Sequence, residues 1–411
     1  MERLIFHVDV NSAYLSWEAA KRVAEGEPDL REIPSAVGGN PETRHGIILA
    51  KSIPAKKFGI KTGEPVGTAL KKCPHLVLVP PDFRIYHKNS EAFMKICQKY
   101  APVVEQYSID ECFLDFSGTQ AVYPDPVKLA HQIKDEIRNT LKFTVNIGVG
   151  SNKLLAKMAS DFKKPDMVHT LFTHEIPQKM WPLAIDDLFL VGHSTAERLK
   201  KANIRTIGDA AKLDLGVLQS LVGIKGGIRI HEYANGIDAS PVCAERENPK
   251  GYSHSVTLSE NVTDFSAANK VLLALADSAA TRMRADGAKT YSISVSMRSS
   301  DFKNKSHQCK LENPTDVTNE IYDVSKKLFK ELWDGKTPLR LLGVALTQIT
   351  FDDYVQTSLF DSENNEKSRK IDKAVDSIRN RFGMDTIVRG ANYHSDISVG
   401  KKYKEKKLET K

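Results

Sequence analysis

The sequence predicts a multidomain α+β protein, and three observations carry that prediction. A β-α-β-β-α-β order of elements runs through the first third of the chain, interrupted by one polar, Gly- and Pro-rich excursion at roughly 11–77. Short helices broken by glycines fill about 170–240. The β-α-β-β-α-β order then recurs between 253 and 350, without any repeat of the sequence itself.

Residues 3–9 (RLIFHVD) form a short apolar strand that ends in an acid. Beyond the excursion, 88–100 has helical spacing, with Phe93, Met94, Ile96 and Cys97 on one side. Residues 103–109 and 112–116 are two strands joined tightly. Asp125-Pro126 is a cap followed by proline at the first helical position, and Leu129, Ala130, Ile133 and Ile137 continue that helix at the proper spacing. A strand at 143–149 follows, then a helix carrying Leu154, Leu155, Met158 and Phe162, which Ser151 can cap. In the second unit the strands fall at 253–258, 290–298, 305–311 and 339–350, with helices at 265–285 and 315–333. Residues 369–382 are amphipathic through Ile371, Val375, Ile378 and Phe382, and the terminal KKYKEKKLETK has the composition of a disordered tail.

The first unit is a split βαβ, ferredoxin-like arrangement. Its crossover brings the end of the first strand and the hairpin between the second and third to the same end of the sheet. Asp9 is thereby brought beside Asp110 and Glu111. Adjacent side chains on a strand point to opposite faces, so Asp110 and Glu111 share a ligand only because the strand breaks there. Clustered carboxylates repel unless cations neutralise them, and oxygen-only donors select hard ions such as Mg²⁺. An isolated Asp-Glu pair is more often an acidic surface turn; Asp9 at the matching edge is what tips the reading toward a metal site.

Three further segments have two readings each. IGVGSNK (147–153) is either a tight strand-to-helix turn or a phosphate seat at a helix start. Residues 188–210 read as helix, Gly192-centred turn and helix, with a second turn at Gly223; such units are either plain helical hairpins or grips on a phosphate backbone. In 290–298, Tyr291, Ile293, Val295 and Met297 face a core, while Ser292, Ser294, Ser296 and Arg298 face outward, as a solvated surface or along a nucleic-acid backbone.

The 411 residues carry a formal net charge of +7, compatible with a polyanionic partner, though no segment is a basic block. No apolar run is long enough for a membrane span. The opening MERLIFHVDV lacks a signal-peptide core. The five cysteines are scattered with no CxxC pair, which argues against a zinc site or disulfide framework. A reducing cytoplasm is the expected location.

HVDVNSAY, IPAKKFGIKTGEP, YSIDECFLDFSG and IGVGSNKLLAKMASDFKKP, in this order, resemble the Y-family translesion DNA polymerases, and LFLVGHSTAERL and NGIDASPV extend the match. The resemblance implies a right-hand polymerase: a ferredoxin-like palm (1–10 and 78–168), small fingers (11–77), a helix-hairpin-helix thumb (169–240) and a ferredoxin-like little finger (241–355), with a clamp-binding motif and polar tail at 356–411. It implies low-fidelity, DNA-directed synthesis without proofreading, from dNTPs on primer-template DNA, by a monomer. Asp9, Asp110 and the Val10 carbonyl would hold two Mg²⁺ ions, with Glu111 completing the site that activates the primer 3′-hydroxyl. Tyr14 falls at the steric gate, beside Ala13, and Lys56 and Lys164 fall where the family holds the triphosphate. Gly192, Gly223, Ser292, Ser294, Ser296 and Arg298 would follow the DNA backbone.

Ile53 and Lys56 depart from the Tyr and Arg frequent in the fingers motif, so a bidentate fork becomes a point charge. Gln356-Thr357-Ser358-Leu359-Phe360 resembles the peptide by which bacterial polymerases bind the sliding clamp. Two other classes compete: a cyclase-like palm enzyme, and a non-catalytic DNA-binding scaffold. The helical hairpins weigh against the first. The cost of burying unpaired carboxylates weighs against the second.

Overall fold

The computed structural model describes residues 3–40, 46–245, 247–352, 363–384 and 386–392. They form two compact units that divide near residue 246. In chain order the first holds β1 (Ile5–Val10), α1 (Ala13–Ala24), β2 (Ser35–Gly38), β3 (Ile48–Lys51), α2 (Ile53–Lys57), α3 (Val66–Lys72), β4 (Val77–Val79), α4 (Phe83–Tyr100), β5 (Val103–Gln106), β6 (Glu111–Asp115), α5 (Pro126–Leu141), β7 (Val145–Gly150), α6 (Lys153–Ser160), β8 (Val168–Leu171), α7 (Ile176–Lys179), α8 (His193–Lys201), α9 (Ile207–Ala211), α10 (Leu215–Val222) and α11 (Ile224–Ala234).

The main sheet has the order β5-β6-β1-β7-β8. Its first four strands pair antiparallel, which is the split βαβ order, and β8 adds a parallel edge beside β7. β1 and β7 are buried along their whole length, as central strands with a layer on each face must be. The excursion forms its own sheet, β3-β2-β4. Asp125 caps α5 through the Lys128 amide at 2.9 Å, and Leu129, Ala130, Ile133 and Ile137 are buried beneath it. α4 starts five residues earlier than its apolar spacing indicated, because Asp82 caps it and fully buried Tyr86 belongs to its first turns. The cap of α6 is Asn152, not Ser151.

The helical segment also departs from expectation. The stretch before Gly192 is only a 3₁₀ turn, Ile185–Asp187, followed by a bend and turn over 188–190 with Leu190 at φ +66°, so no helix leads into Gly192. The second turn is a true hairpin: Gly223, at φ +85°, joins α10 directly to α11, a backbone conformation that favours glycine.

The second unit contains β9 (Gly251–Val262), α12 (Phe265–Ala285), β10 (Lys289–Ser299), β11 (Asn304–Thr315), α13 (Thr318–Leu332), β12 (Leu339–Thr350) and α14 (Glu363–Phe382). The expected order of elements is present, and α12 and α13 pack on the sheet and on each other. The strand order is β11-β10-β12-β9, so the first strand lies at an edge and the last in the interior, unlike the main sheet. Along β10, Ile293, Val295 and Met297 are core. Tyr291 is only half-buried and Ser292 is buried, both contrary to the simple alternation. The pairing with β11 shifts register between Thr290 and Ser292, and the Thr290 hydroxyl turns back onto the carbonyls of Ser292 and Thr347 at 2.9 and 2.7 Å.

α14 docks by its polar side. Arg284 reaches Asp376 at 2.6 Å and Asp372 at 3.5 Å, Arg379 reaches Asp277 at 2.7 Å, and Arg369 reaches Asp316 at 2.8 Å. The stripe carrying Ile371, Ile378 and Phe382 is exposed.

Candidate active site

β1 and β6 are neighbours, and their register sets Asp9 directly opposite Glu111. The Val10 amide donates to the Asp110 carbonyl at 3.0 Å, which ties the end of β1 to the turn before β6. All three predicted acids therefore lie at one end of one sheet. Their side chains are not equivalent. Asp9 and Glu111 converge on an ammonium group, since Lys157 Nζ lies 2.9 Å from Glu111 Oε1 and 3.3 Å from Asp9 Oδ2. Lys164 Nζ lies 3.1 Å from the same Asp9 oxygen and 2.9 Å from Asp161. Asp110 instead accepts the Ser108 hydroxyl at 2.6 Å. Among the described residues no three acidic, His or Cys side chains are already closed around an ion-sized space. The donor set is nonetheless oxygen-only, which fits a hard divalent ion.

Burial pushes the Asp9 carboxyl up to about 6, against the pull of Lys164 and Lys157. Burial also acts to raise Glu111, but the Lys157 ammonium at 2.9 Å opposes it, and that carboxyl is held well below the usual range. His7 is wholly buried, which lowers it to about 4, so the ring is neutral near pH 7. Its Nδ1 bonds the Ser160 hydroxyl at 2.8 Å, while Nε2 faces Glu111 Oε2 at 3.6 Å, too far for a hydrogen bond.

α6 owes its position to two glycines of β7. A Cβ on Gly148 would land on the Ala156 carbonyl oxygen and the Ser160 amide, and one on Gly150 would meet the Ala156 nitrogen at 2.8 Å. The helix start is internally satisfied: Asn152 accepts the Leu155 amide at 2.8 Å and Asp238 accepts the Leu154 amide at 3.1 Å. IGVGSNK is thus a close-packing device and not an open phosphate seat.

Tyr14 stands at the start of α1, half-buried, with ring centroids of Tyr86, Trp17 and Phe83 at 4.8, 6.0 and 6.1 Å. Burial raises its hydroxyl, and the charge of Asp110 adds to that. Ala13 is buried. Lys56, on α2, is exposed, and among the described residues no ion pair links it to the acids. Its charge lies close to Lys51, whose ammonium is lowered first by burial and then by Lys56.

Gly192 opens α8 and Gly223 opens α11, neither with a side-chain cap, and a Cβ on either would meet nothing within 4 Å. In the second unit Ser294, Ser296 and Arg298 are half-buried on one face of the sheet, and Arg298 donates to Asn304 at 2.7 Å. Ser292 is too buried to present its hydroxyl. Residues 356–360 lie outside the described residues.

Sequence reasoning missed Lys157, His7, Lys51 and Gly343. Lys157 could have been found, as the one cation amid buried Leu154, Leu155, Met158 and Ala159. Gly343 could not: a Cβ there would meet Ser296 Oγ at 2.6 Å and Ser255 Cβ at 3.0 Å, so it keeps the row Ser255–Gly343–Ser296 flat.

A split-βαβ sheet with acids at one end, a glycine-hinged helical segment and a second α/β unit is a combination that family models recognise. Residues 8–161 match the impB/mucB/samB family, 249–359 that family's C-terminal domain, and 186–238 the DNA polymerase-iota thumb domain. The chain belongs to the Y-family DNA polymerases. It is 44% identical to DNA polymerase IV of Clostridium acetobutylicum, over 95% of this chain and 98% of that one. It is 35% identical to the DNA polymerase IV of Alkaliphilus oremlandii, over 95% and 99%. The solved structure of a Y-family DNA polymerase chimera superposes with a TM-score of 0.73 at 25% identity, covering 85% of this chain and all of that one. The matched thumb and C-terminal domains leave no ground for a cyclase-like enzyme.

Proposed function

We propose that this Y-family DNA polymerase performs translesion synthesis by nucleotidyl transfer at Asp9, Asp110 and Glu111, with Val10 contributing its carbonyl. The observation that carries the assignment is the pairing of Asp9 with Glu111 across β1 and β6, with Asp110 at the adjoining turn. Two Mg²⁺ ions, when bound there, would stabilise the attacking and leaving oxygens of phosphoryl transfer. The chain's own residues do the rest. Lys164, about a third exposed and paired with Asp9 and Asp161, can turn its ammonium to the incoming triphosphate. Lys56 and Lys51 on the fingers supply two point charges where the family often has one fork. Tyr14, braced by Tyr86, Trp17 and Phe83, would exclude a 2′-hydroxyl, with Ala13 beneath it.

Primer-template DNA would be held without base readout. Gly192 and Gly223 would offer uncapped helix starts to phosphates, and Ser294, Ser296 and Arg298, with Gly343 between strands, a flat face for a backbone. Gln356, Leu359 and Phe360 are proposed as a tether to the sliding clamp. Replacing Asp110 or Glu111 by Ala should abolish primer extension while DNA binding survives. Extension by Asp110→Ala at the native rate would refute the assignment.

A further inference from the structure

Among the described residues two lysines touch the acids, and they are not built alike. The Lys164 side chain is 35% exposed and shares its charge with Asp161, itself half-exposed. Lys157 is 8% exposed in all. Its stem lies in α6 among Leu154, Met158 and Ala159, all buried, and α6 cannot lift while Gly148 and Gly150 hold it against β7. The Lys157 ammonium contacts Glu111 at 2.9 Å, Asp9 at 3.3 Å and Asp161 at 3.6 Å. It is a fixed positive charge between the two carboxylates that pair across the strands.

A fixed cation there has two consequences. It aims Asp9 and Glu111 at one point, which like charges on adjacent strands would otherwise resist. It also opposes any second cation at the same oxygens. An incoming triphosphate brings several negative charges and reverses that balance. We propose that Lys157 is a positioning residue that makes metal binding depend on the nucleotide: it holds the acid pair in register and suppresses divalent-ion binding until a triphosphate arrives. This rests on the reading of Asp9, Asp110 and Glu111 as metal ligands. Binding free energies are reciprocal, so Lys157 equally strengthens the dependence of nucleotide affinity on metal.

The test is Mn²⁺ binding to the full chain, by calorimetry or by the electron paramagnetic resonance of free Mn²⁺, with and without a non-hydrolysable α,β-imido deoxynucleotide. Lys157→Met and Lys157→Gln both remove the charge and differ in how they pack, and thermal unfolding reports which is folded. Either folded variant should bind Mn²⁺ without nucleotide on the order of tenfold more tightly than the wild type. The further gain on adding nucleotide should shrink by the same factor. Lys157→Arg, which keeps the charge, should keep the wild-type coupling. Nucleotide-free affinity unchanged or weaker in both neutral variants overturns the proposal. Asp110→Asn serves a separate purpose: if it leaves Mn²⁺ binding in the presence of nucleotide untouched, the ligand assignment itself falls, and the inference falls with it.

Discussion

Gly148→Ala changes one hydrogen to a methyl group at the contact that sets the height of α6 above the sheet. The new Cβ would strike the Ala156 carbonyl oxygen and the Ser160 amide, with the Ala159 methyl at 3.0 Å. The first two are backbone atoms, so no side-chain rotation relieves them and the helix must lift. Overpacking a close-packed core costs about 1–3 kcal/mol, and two backbone contacts put this case at the upper end. For a unit of this size, 1 kcal/mol corresponds to roughly 2–4 °C of Tm, so about 3 kcal/mol predicts a fall of roughly 6–12 °C. The chemistry should suffer as well. A lifted helix carries Lys157 from Glu111 and Ser160 from His7, contacts of 2.9 and 2.8 Å, and a shift of about 1 Å near reacting groups can cost ~100-fold in rate. The assays are thermal unfolding and single-turnover primer extension. Gly67→Ala serves as control, because that helical position has open space around it. A Gly148→Ala protein with native Tm and native extension rate would refute the packing argument.

Tyr14→Ala should admit ribonucleotides far more readily, with deoxynucleotide insertion less affected; unchanged sugar discrimination in single-nucleotide kinetics would place the gate elsewhere. Arg284→Ala leaves Asp376 without its cation, while Asp372 keeps Arg389 at 3.1 Å, so the loss should lie at or below the ~3–5 kcal/mol of a broken buried pair. Hydrogen exchange over 363–382 should then rise well above wild type, and unchanged protection would mean that α14 is held by other contacts. Replacing both Leu359 and Phe360 by Ala should leave unassisted insertion intact and remove the gain in product length from a loaded clamp; a double mutant that still responds to the clamp would make the motif a chance match.

The elements most legible in the sequence were those whose signals are local. Asp125-Pro126 with its apolar period marks α5, and the apolar run ending at Asp9 marks β1, because capping and burial on both faces leave their marks on neighbouring residues. The meeting of Asp9 with Asp110 and Glu111 was legible one step further on, since the split βαβ order fixes which strand ends coincide. What failed depends on three-dimensional register. Ser292 looked outward by alternation, yet the shift beside Thr290 buries it. A helix is expected from 188 into the Gly192 turn, but one 3₁₀ turn at Ile185–Asp187 suffices to deliver the chain there. The second unit repeats the order of elements and not the strand order, because pairing depends on which crossover encloses which strand, and no residue pattern records that. Residues 371, 375, 378 and 382 spell an amphipathic helix, but its polar side carries the anchoring ion pairs.

α6 shows why the site is more than its acids. Its start is held by Asp238, which accepts the Leu154 amide, and by Asn152, whose side-chain amide donates to the Gly236 carbonyl at 2.8 Å. Lys153 adds an ion pair with Glu105 at 2.7 Å, and Glu105 accepts the Cys243 amide at 2.8 Å. One face of the helix is held by the bare backbone of Gly148 and Gly150. Its last turns then supply Lys157 to Asp9 and Glu111, and Ser160 to the ring beneath Glu111. The segment NGIDASPV, beginning at Asn235, is therefore not a mere connector after α11. It fixes one end of the helix whose other end fixes the charge balance of the acid pair. A short rigid rod pinned at its start and along one face passes a displacement at either place to its far end, since close-packed interiors absorb little of it. The two carboxylates of Asp9 and Glu111 thus take their geometry from the strands and their charge balance from a helix anchored some 80 residues further along the chain.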